Sequence, residues 1–361
     1  MTLRDRFIQT LLFEDADRLP FMDCGYARVS AWHGQGLPGT VDTEEQVEKY
    51  FGLDRGFHLC LLTDHDSMGV SLPSGRYASS VMALMETTRQ EVSFFAPRPA
   101  RTDAFPLRSE ADLEAIAARR RGNDQRRLVV EWSRRLDALK LEEAAIGLYL
   151  WGFYTSQLEL MGPDVLARTY FSNPDLIHRI NAHHLQFCWE LVQLLSARTA
   201  IDFVVIGETL IGAARIPLTP HLFGEFMGKY YADLIAAIRG KRVEIVALSG
   251  VGLTGGLLGP FRQAGINACL PCSIAAGDDP LTLREHYPEL ALVGGIDHRA
   301  LLSGRDAINA ELRRVSPLTH TGGYIPALDN AIPPETPLAN YEYYLARKWE
   351  MFFENTDPRR Y

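Results

Sequence analysis

Short apolar runs alternate with amphipathic segments along the C-terminal two-thirds of the chain. The amphipathic segments carry apolar residues at helical spacing, and this alternation is typical of βα units that build a parallel sheet. The apolar runs have no polar face, as strands covered by helices on both sides require. A further run at 19–23 predicts an additional N-terminal strand. The six later runs span residues 145–151, 202–207, 243–248, 266–270, 291–295 and 320–325.

This pattern predicts an α/β fold, and an eight-stranded (β/α)8 TIM barrel is the simplest way to close such a sheet. Residues 24–140 interrupt the pattern with a stretch rich in loops, Gly and Pro. We interpret them as the second βα region together with an insertion that caps the barrel mouth. Residues 1–361 are therefore expected to form a single domain, with a cap region at 24–140.

Capping residues mark the places where several helices begin. Asn173-Pro174 and Thr219-Pro220 each put an N-cap residue before a proline at the first helical position. Thr43 and Gln46 have the spacing of a capping box. Gly240 follows the apolar positions of the helix that Thr219 begins, so we expect it to end that helix in the left-handed conformation.

The charge balance and the cysteines limit the setting in which the protein works. The chain has 361 residues with 37 Lys and Arg, 45 Asp and Glu, and a formal net charge of −8. A net negative charge gives no attraction for nucleic acid or anionic membranes, and no run approaches the roughly 18 apolar residues of a membrane span. Five cysteines at irregular spacings indicate reduced thiols. We expect a cytoplasmic protein that binds neither nucleic acid nor membrane.

Polar residues that follow the apolar runs are the candidates for a functional site, because TIM-barrel enzymes carry their active sites at the C-terminal ends of the strands. Glu208 directly follows the run 202–207, where burial raises the pKa of a carboxyl towards the range useful for proton transfer. Its alternative role is an ion pair with Arg215, and the alternative role of Asp297 is to cap a helix that begins near Arg299. The catalytic candidates are Glu208, Asp329, Tyr154 and Asp297. The substrate-binding candidates are Tyr324, Trp151, Arg215, Asp23, Ser249 and His298.

Two short segments contain side chains of the types that bind metals. The denser one lies between positions 58 and 66, and its alternation over 58–62 predicts a strand. The other is a CxxC motif at 269–272, but without a second CxxC or a nearby HxxxH its two thiols are better explained as core residues. The metal-ligand candidates are His58, His65, Asp66, Cys269 and Cys272. The sequence has no GxxxxGK[ST], no HExxH and no GxSxG, which argues against P-loop nucleotide chemistry and the common hydrolase triad.

Several sequence blocks occur in the order found in one known superfamily. The segment Gly322-Gly-Tyr-Ile-Pro-Ala-Leu-Asp-Asn-Ala-Ile-Pro-Pro334 resembles the closing motif of the uroporphyrinogen decarboxylase-like superfamily, and Trp151-Gly-Phe-Tyr154 and Gly294-Gly-Ile-Asp-His-Arg-Ala-Leu301 agree with earlier blocks. The chain is identified as a divergent member of this superfamily, which includes corrinoid methyltransferases. The resemblance implies a (β/α)8 barrel and either porphyrinogen decarboxylation or methyl transfer with corrinoid proteins, in some members with zinc.

The sequence departs from both branches of the superfamily where chemistry is expected. The His-Ser-Asp-Gly-Asn or His-x-Cys segment of the methyltransferases is replaced by Ala247-Leu-Ser-Gly-Val251, so a zinc site of that kind is doubtful. The Met-Arg-Gln-Ala-Gly-Arg segment of the decarboxylases is replaced by Met22-Asp-Cys-Gly-Tyr-Ala-Arg28, which has a single arginine. The closing motif has Asp329-Asn330 in place of Asp-His.

The resemblance implies first of all methyl transfer between a small methylated donor and a corrinoid or folate acceptor. A corrinoid protein is then a partner that brings the cofactor, and a homodimer is the family-level expectation. In this hypothesis Glu208 and Asp329 act as proton donors or ligands, and Tyr154 and Tyr324 position the substrate.

Two alternatives stay open. The first is a decarboxylase that acts on an aromatic or pyrrolic carboxylic acid, a reaction that needs one buried acid and a cation near the departing carboxylate. Arg28 or Arg215 could supply that cation. The second alternative is a non-catalytic homologue that serves as a binding or scaffold protein.

Overall fold

A single parallel sheet forms the centre of the protein. The computed structural model describes residues 1–23, 29–54, 60–62, 107, 109–119, 121–123, 136–137, 139–208, 218–250 and 256–354. The strands follow one another across the sheet in the order of the sequence, and every neighbouring pair is parallel. The strands in the described part of the chain are β1 (Cys60–Leu62), β2 (Gly147–Trp151), β3 (Phe203–Gly207), β4 (Ile245–Ser249), β5 (Ala268–Cys272), β6 (Ala291–Gly294) and β7 (Tyr324–Ile325).

All six later runs of the sequence contain a strand, as predicted, and the strand predicted by the alternation over 58–62 is confirmed as β1. The run at 320–325 is only partly strand. A 3-10 helix ends at His320, and Gly322 and Gly323 both have positive φ, so the chain becomes extended only at Tyr324. The predicted strand at 19–23 is wrong, since these residues form no strand.

The segment 19–23 nevertheless joins the two edges of the sheet. The carbonyl oxygen of Phe21 accepts a hydrogen bond from the backbone N–H of Asp54, on the chain that leads to β1, at 2.7 Å. The Asp23 carboxylate accepts one from the backbone N–H of Leu328, on the chain that leaves β7, at 3.0 Å. Parallel strands in sequence order, helices between them and a segment that links the first edge to the last make this fold the expected TIM barrel.

Helices cover the outside of the sheet, and their apolar faces and the strands form one continuous core. Within the described residues, none of them combines the length and the apolar character needed to cross a membrane. The helices are α1 (Leu3–Leu11), α2 (Glu44–Phe51), α3 (Glu110–Arg119), α4 (Phe153–Met161), α5 (Pro163–Ser172), α6 (Pro174–Ser196), α7 (Pro220–Phe226), α8 (Gly228–Arg239), α9 (Leu258–Gln263), α10 (Pro280–His286), α11 (Ala300–Ser303), α12 (Arg305–Val315) and α13 (Leu338–Phe352).

The predicted helix starts are confirmed. The Asn173 side chain accepts a hydrogen bond from the backbone of the first turn of α6, and Thr219 does the same for α7. Thr43 and Gln46 form both bonds of a capping box at α2. The prediction for Gly240 is wrong, because its φ of −59° is right-handed. The left-handed residue at this turn is Arg242, with a φ of 64°.

A carboxylate from the barrel caps helix α4. The N-cap residue of α4 is Gly152, which has no side chain to satisfy the free N–H groups of the first turn. Glu208, directly after β3, accepts hydrogen bonds from the backbone N–H groups of Tyr154 at 3.0 Å and Thr155 at 2.8 Å. It also accepts bonds from the hydroxyls of Thr155, at 2.6 Å, and Tyr231. An anion at a helix N-terminus is favoured by the helix dipole, so Glu208 fastens α4 to the end of β3.

The cap region remains a prediction. Of residues 24–140 the structure describes a 3-10 helix at 29–35, the helices α2 and α3, strand β1 and several short stretches. The single-domain organisation is likewise an expectation.

Replacing Asn173 by Ala should destabilise the protein by about 1 kcal/mol, because the first turn of α6 then loses its side-chain acceptor. The measurement is the free energy of unfolding from urea denaturation followed by circular dichroism. Asn173→Asp is the matched control, since an aspartate keeps the acceptor and should stay close to wild type. Equal stability of the alanine variant and the wild type would contradict the capping role.

Replacing Gly152 by Ala should cost more than about 2 kcal/mol, because the added Cβ would lie 2.1 Å from the Glu208 carboxyl carbon and 2.5 Å from the Tyr231 hydroxyl. Gly224→Ala in α7 is the matched control. In the described part of the chain, no atom beyond the backbone of its own helix and its chain neighbours lies within 4 Å of the Cβ it would add. Alanine also favours a helix, so this variant should be as stable as wild type or up to about 1 kcal/mol more stable. The same unfolding measurement distinguishes them, and two similar values would show that Glu208 does not approach α4 closely.

Candidate active site

The ends of β6 and β7 are held side by side beyond the last strand residues. Ile296 and Leu328 form an isolated parallel bridge. The backbone N–H of Ile296 donates to the carbonyl oxygen of Ala327 at 3.1 Å, and that of Asp329 donates to the carbonyl oxygen of Ile296 at 2.8 Å. The next residue after Ile296 on its chain is Asp297. The bridge therefore puts Asp297, and His298 after it, beside Asp329 at the C-terminal end of the barrel.

Two glycines allow β6 to turn at this point. Gly294 and Gly295 have φ values of 97° and 82°, in the left-handed region that side chains disfavour. A Cβ on Gly295 would lie 2.3 Å from the ring of Pro280, the first residue of α10. The hydroxyl of Tyr324 donates to the carbonyl oxygen of Gly294 at 2.9 Å and braces the turn from β7.

His298 and Asp329 form a directly hydrogen-bonded pair. The imidazole Nδ1 lies 2.6 Å from the Asp329 Oδ1, which also accepts the backbone N–H of His298 at 2.9 Å. The other oxygen of Asp329 accepts the backbone N–H of Ile274 at 2.9 Å. The Asp329 side chain is fully buried, whereas 16% of the His298 side chain is exposed. A buried carboxylate thus orients an imidazole that solvent or a ligand can reach.

The carboxylate of Asp329 determines which nitrogen of His298 exchanges protons. A carboxylate at Nδ1 is an acceptor, so we infer that Nδ1 carries a proton in both charge states of the ring. The proton on Nε2 is then the one that the ring gains and loses. An imidazole oriented in this way by a carboxylate is a general acid and base in many enzymes.

Asp297 is engaged differently from Asp329. The Arg299 guanidinium binds its carboxylate through several hydrogen bonds between 2.6 and 3.0 Å, and the backbone N–H of Arg299 donates to it at 2.9 Å. Burial acts to raise the pKa of Asp297, but the hydrogen bonds and charge of Arg299 outweigh burial and hold that pKa below its ordinary value. Asp297 is thus an ionised partner of Arg299 at the turn before α11. This role is close to the helix-capping alternative that the sequence suggested for Asp297.

Helix α12 fixes the backbone of this turn. The backbone N–H of Asp297 donates to a carboxylate oxygen of Glu311 at 3.0 Å. Arg314 binds Glu311 at 2.7 Å and also binds Asp279 at 2.7 Å, at the start of α10. This half-buried network connects the turn that carries His298 to two helices, so the imidazole is attached to a rigid part of the barrel.

The described residues contain one group of potential metal ligands, and it includes this pair. One ligand atom each from Asp297, His298 and Asp329 lie within 4.8 Å of one another. However, Asp329 already accepts three N–H groups and Asp297 already binds Arg299. A cation here would have to displace the Nδ1 proton, so the contacts favour a proton-transfer pair over a metal centre.

The residues described here do not fit a zinc site of the His-x-Cys kind. The segment aligned with that motif is the end of β4, where Ser249 is buried and its carbonyl oxygen accepts the backbone N–H of Glu208 at 2.7 Å. Cys269 and Cys272 are fully buried in β5. A hydrogen bond with Cys272, together with burial, raises the pKa of Cys269, which disfavours the thiolate form that zinc binds.

Glu208 has a chemical setting of its own at the end of β3. Its side chain is buried, and burial raises the pKa of Glu208, while its hydrogen bonds from Tyr154, Thr155 and Tyr231 act against that rise. Burial and the charge of Glu208 raise the pKa of Tyr154, so this buried phenol stays protonated. In the described part of the chain, the hydrogen bonds of Glu208 go to the start of α4 and to Tyr231, and none joins it to the His298–Asp329 pair. Glu208 and Asp329 both follow the C-terminal ends of strands, but they bind different partners.

Of the remaining candidates, some make contacts that stabilise the fold and the others lie outside the described residues. Trp151 is partly exposed and packs edge-on against Tyr149, and its carbonyl oxygen binds His184 at 2.7 Å. Asp23 is buried and binds Lys348, which sequence reasoning missed. A signal existed, because Lys348 falls on the helical spacing of Tyr341, Tyr344 and Leu345, the buried face of α13. The candidates that lie outside the described residues are Arg28, His58, His65, Asp66 and Arg215.

Comparisons with known proteins agree with this architecture. A search of curated proteins found no significant match. A methyltransferase from Methanosarcina mazei has a similar solved structure, with a TM-score of 0.62 and 16% sequence identity over 97% of this chain and 99% of that chain. Identity this low shows a shared fold alone. The family described as Uroporphyrinogen decarboxylase (URO-D) matches residues 65–347, well over half of the chain. The protein therefore belongs to the uroporphyrinogen decarboxylase family.

Proposed function

We propose that the protein is a methyltransferase in which the His298–Asp329 pair delivers a proton to the group that leaves the methyl donor. The observation that carries this proposal is the 2.6 Å contact between the His298 Nδ1 and the fully buried Asp329 carboxylate. The donor is a small methylated compound, and the acceptor is a corrinoid or folate supplied by a partner or as a second substrate.

The reaction needs an acid because a methyl group bound to oxygen, nitrogen or sulfur leaves behind a basic heteroatom. When the carbon–heteroatom bond breaks, its electron pair stays on the heteroatom, which takes the proton from Nε2 of the protonated His298. The negative charge of Asp329 stabilises the imidazolium before transfer and holds its ring in place. The methyl carbon passes to the nucleophilic acceptor, so atoms and charge balance in this step.

One finding supports methyl transfer as the reaction. The similar solved structure is a methyltransferase, and the similarity extends over nearly the full length of both chains. The chain lacks the His-x-Cys segment of the methyltransferases, so the proposal needs another group to activate the methyl donor. A proton from His298 would activate the leaving group directly, which is one of the ways that transition-state charge can be neutralised without a metal ion.

Decarboxylation of an aromatic or pyrrolic acid is the second candidate function, and the family description favours it. The same imidazolium would then protonate the carbanion that remains after carbon dioxide departs. This reaction also needs a cation for the substrate carboxylate. Arg299, the cation nearest to the pair in the contacts above, is already bound to Asp297. Arg28 and Arg215 are the remaining candidates for that role.

Replacing His298 by Gln should lower the rate of methyl transfer by about 100-fold or more, because the variant has no group that can donate the proton. Asp329→Asn should lower it by a smaller factor, since an amide still orients the ring but does not stabilise its charge. The assay offers methanol, methylated amines and methylated thiols with reduced cobalamin or tetrahydrofolate, and follows the cobalamin absorbance or the methylated folate.

The matched control is His320→Gln, an exposed histidine near the N-terminal end of β7, which should retain the wild-type rate. A parallel assay measures carbon dioxide release from pyrrole and benzoic carboxylic acids. Carbon dioxide release that His298→Gln abolishes would replace methyl transfer by decarboxylation. Transfer that survives His298→Gln but stops after dialysis against EDTA would show that a metal, and not this pair, activates the donor.

A further inference from the structure

Asp23 is a buried carboxylate with one oxygen in use and one without a partner. Its Oδ1 accepts hydrogen bonds from the backbone N–H of Leu328 and the hydroxyl of Tyr344, both at 3.0 Å, and lies 3.4 Å from the ammonium of Lys348. Its Oδ2 is buried, and no donor in the described part of the protein reaches it. Buried polar atoms in native proteins are nearly always hydrogen-bonded, so an acceptor left over here points to a ligand.

The position of Asp23 places it at the same edge of the barrel as the His298–Asp329 pair. Its partner Leu328 directly precedes Asp329, and Leu328 forms the bridge with Ile296 that brings the two catalytic residues together. Asp23 therefore belongs to the layer of the barrel in which the candidate active site lies. Burying the Asp23 carboxylate and the Lys348 ammonium here has a considerable cost in free energy. Their ion pair uses only Oδ1, so it does not explain why Oδ2 is left without a donor.

The charge of Asp23 is already balanced by Lys348. The Lys348 side chain is fully buried, and its ammonium also donates to the carbonyl oxygen of Met22 at 2.7 Å and lies over the rings of Phe21 and Tyr344. A cationic ligand at Oδ2 would meet the positive charge of Lys348 nearby, and an anion would meet the carboxylate itself. A neutral group with an O–H or N–H satisfies the acceptor without either repulsion.

We propose that Asp23 Oδ2 binds a neutral hydroxyl or N–H group of the substrate and thereby selects substrates that carry one. The inference rests on the proposed function in taking this edge of the barrel as the substrate site. Its test measures binding alone, so it is independent of whether methyl transfer or decarboxylation follows.

The test is saturation-transfer NMR titration of the full chain with N-methylacetamide, which has one N–H, and with acetone and N,N-dimethylacetamide, which have none. Sodium acetate serves as the anionic probe. We expect wild type to bind N-methylacetamide about tenfold more tightly than any of the other three, as a hydrogen bond to a carboxylate provides.

Asp23→Asn should reverse this preference. The amide oxygen is required by the three donors now on Oδ1, which leaves the amide NH2 where Oδ2 was, so acetone should then bind better than N-methylacetamide. Tyr344→Phe is the matched control, because it removes one donor from Oδ1, leaves Oδ2 unchanged and should keep the wild-type preference. A purely structural role of Asp23 would not reverse a ligand preference.

Three results would overturn the proposal. They are equal binding of the four probes by wild type, no detectable binding of N-methylacetamide at 100-fold excess of probe over protein, and an unchanged preference in a folded Asp23→Asn protein. The comparison of probes on wild type decides the question even where Asp23→Asn fails to fold. If the wild-type protein prefers N-methylacetamide but shows no methyl transfer, the proposed function is contradicted and this inference still stands.

Discussion

The parallel bridge between Ile296 and Leu328 is the interaction on which the candidate site depends. It extends the pairing of β6 and β7 past the last residue of each strand, at the place where the two chains would otherwise separate into loops. Backbone bonds between buried partners have no water to compete with them, so the bridge fixes the separation of the side chains that follow it. His298 and Asp329 meet because their backbones are already in register.

Glu208 and Asp329, two of the buried acids of the barrel, show how partners, more than burial, decide the role of a carboxyl. Glu208 has four donors of its own, all from the start of α4 and from Tyr231, and is thereby committed to holding a helix. Asp329 is equally buried, but one of its partners is an imidazole that can itself gain and lose a proton. The same residue type at the ends of two different strands therefore holds a helix in one case and, in the proposed function, supports proton transfer in the other.

The sequence predicted the barrel well, because its signals are local. Continuous apolar runs identify strands covered on both faces, and Asn173 and Thr219 mark helix starts through bonds within one turn. The exact ends were less predictable. Gly322 and Gly323 delay β7, and the N-terminal segment 19–23 binds the sheet edges without forming a strand, because its contacts depend on distant residues such as Asp54 and Leu328. The candidate list included His298 and Asp329, but their pairing depends on register between strands 30 residues apart, which periodicity does not encode.

The attachment of Asp23 to helix α13 also determines when the site can be completed during synthesis. Lys348 and Tyr344 lie more than 300 residues after Asp23, and the seven strands of the described part of the chain are translated before them. A nascent chain whose strands have emerged from the ribosome still lacks the groups that neutralise and anchor Asp23. The mouth of the barrel therefore acquires its final charge distribution only in the last stage of assembly, so a partly made chain cannot present a finished site to its ligands.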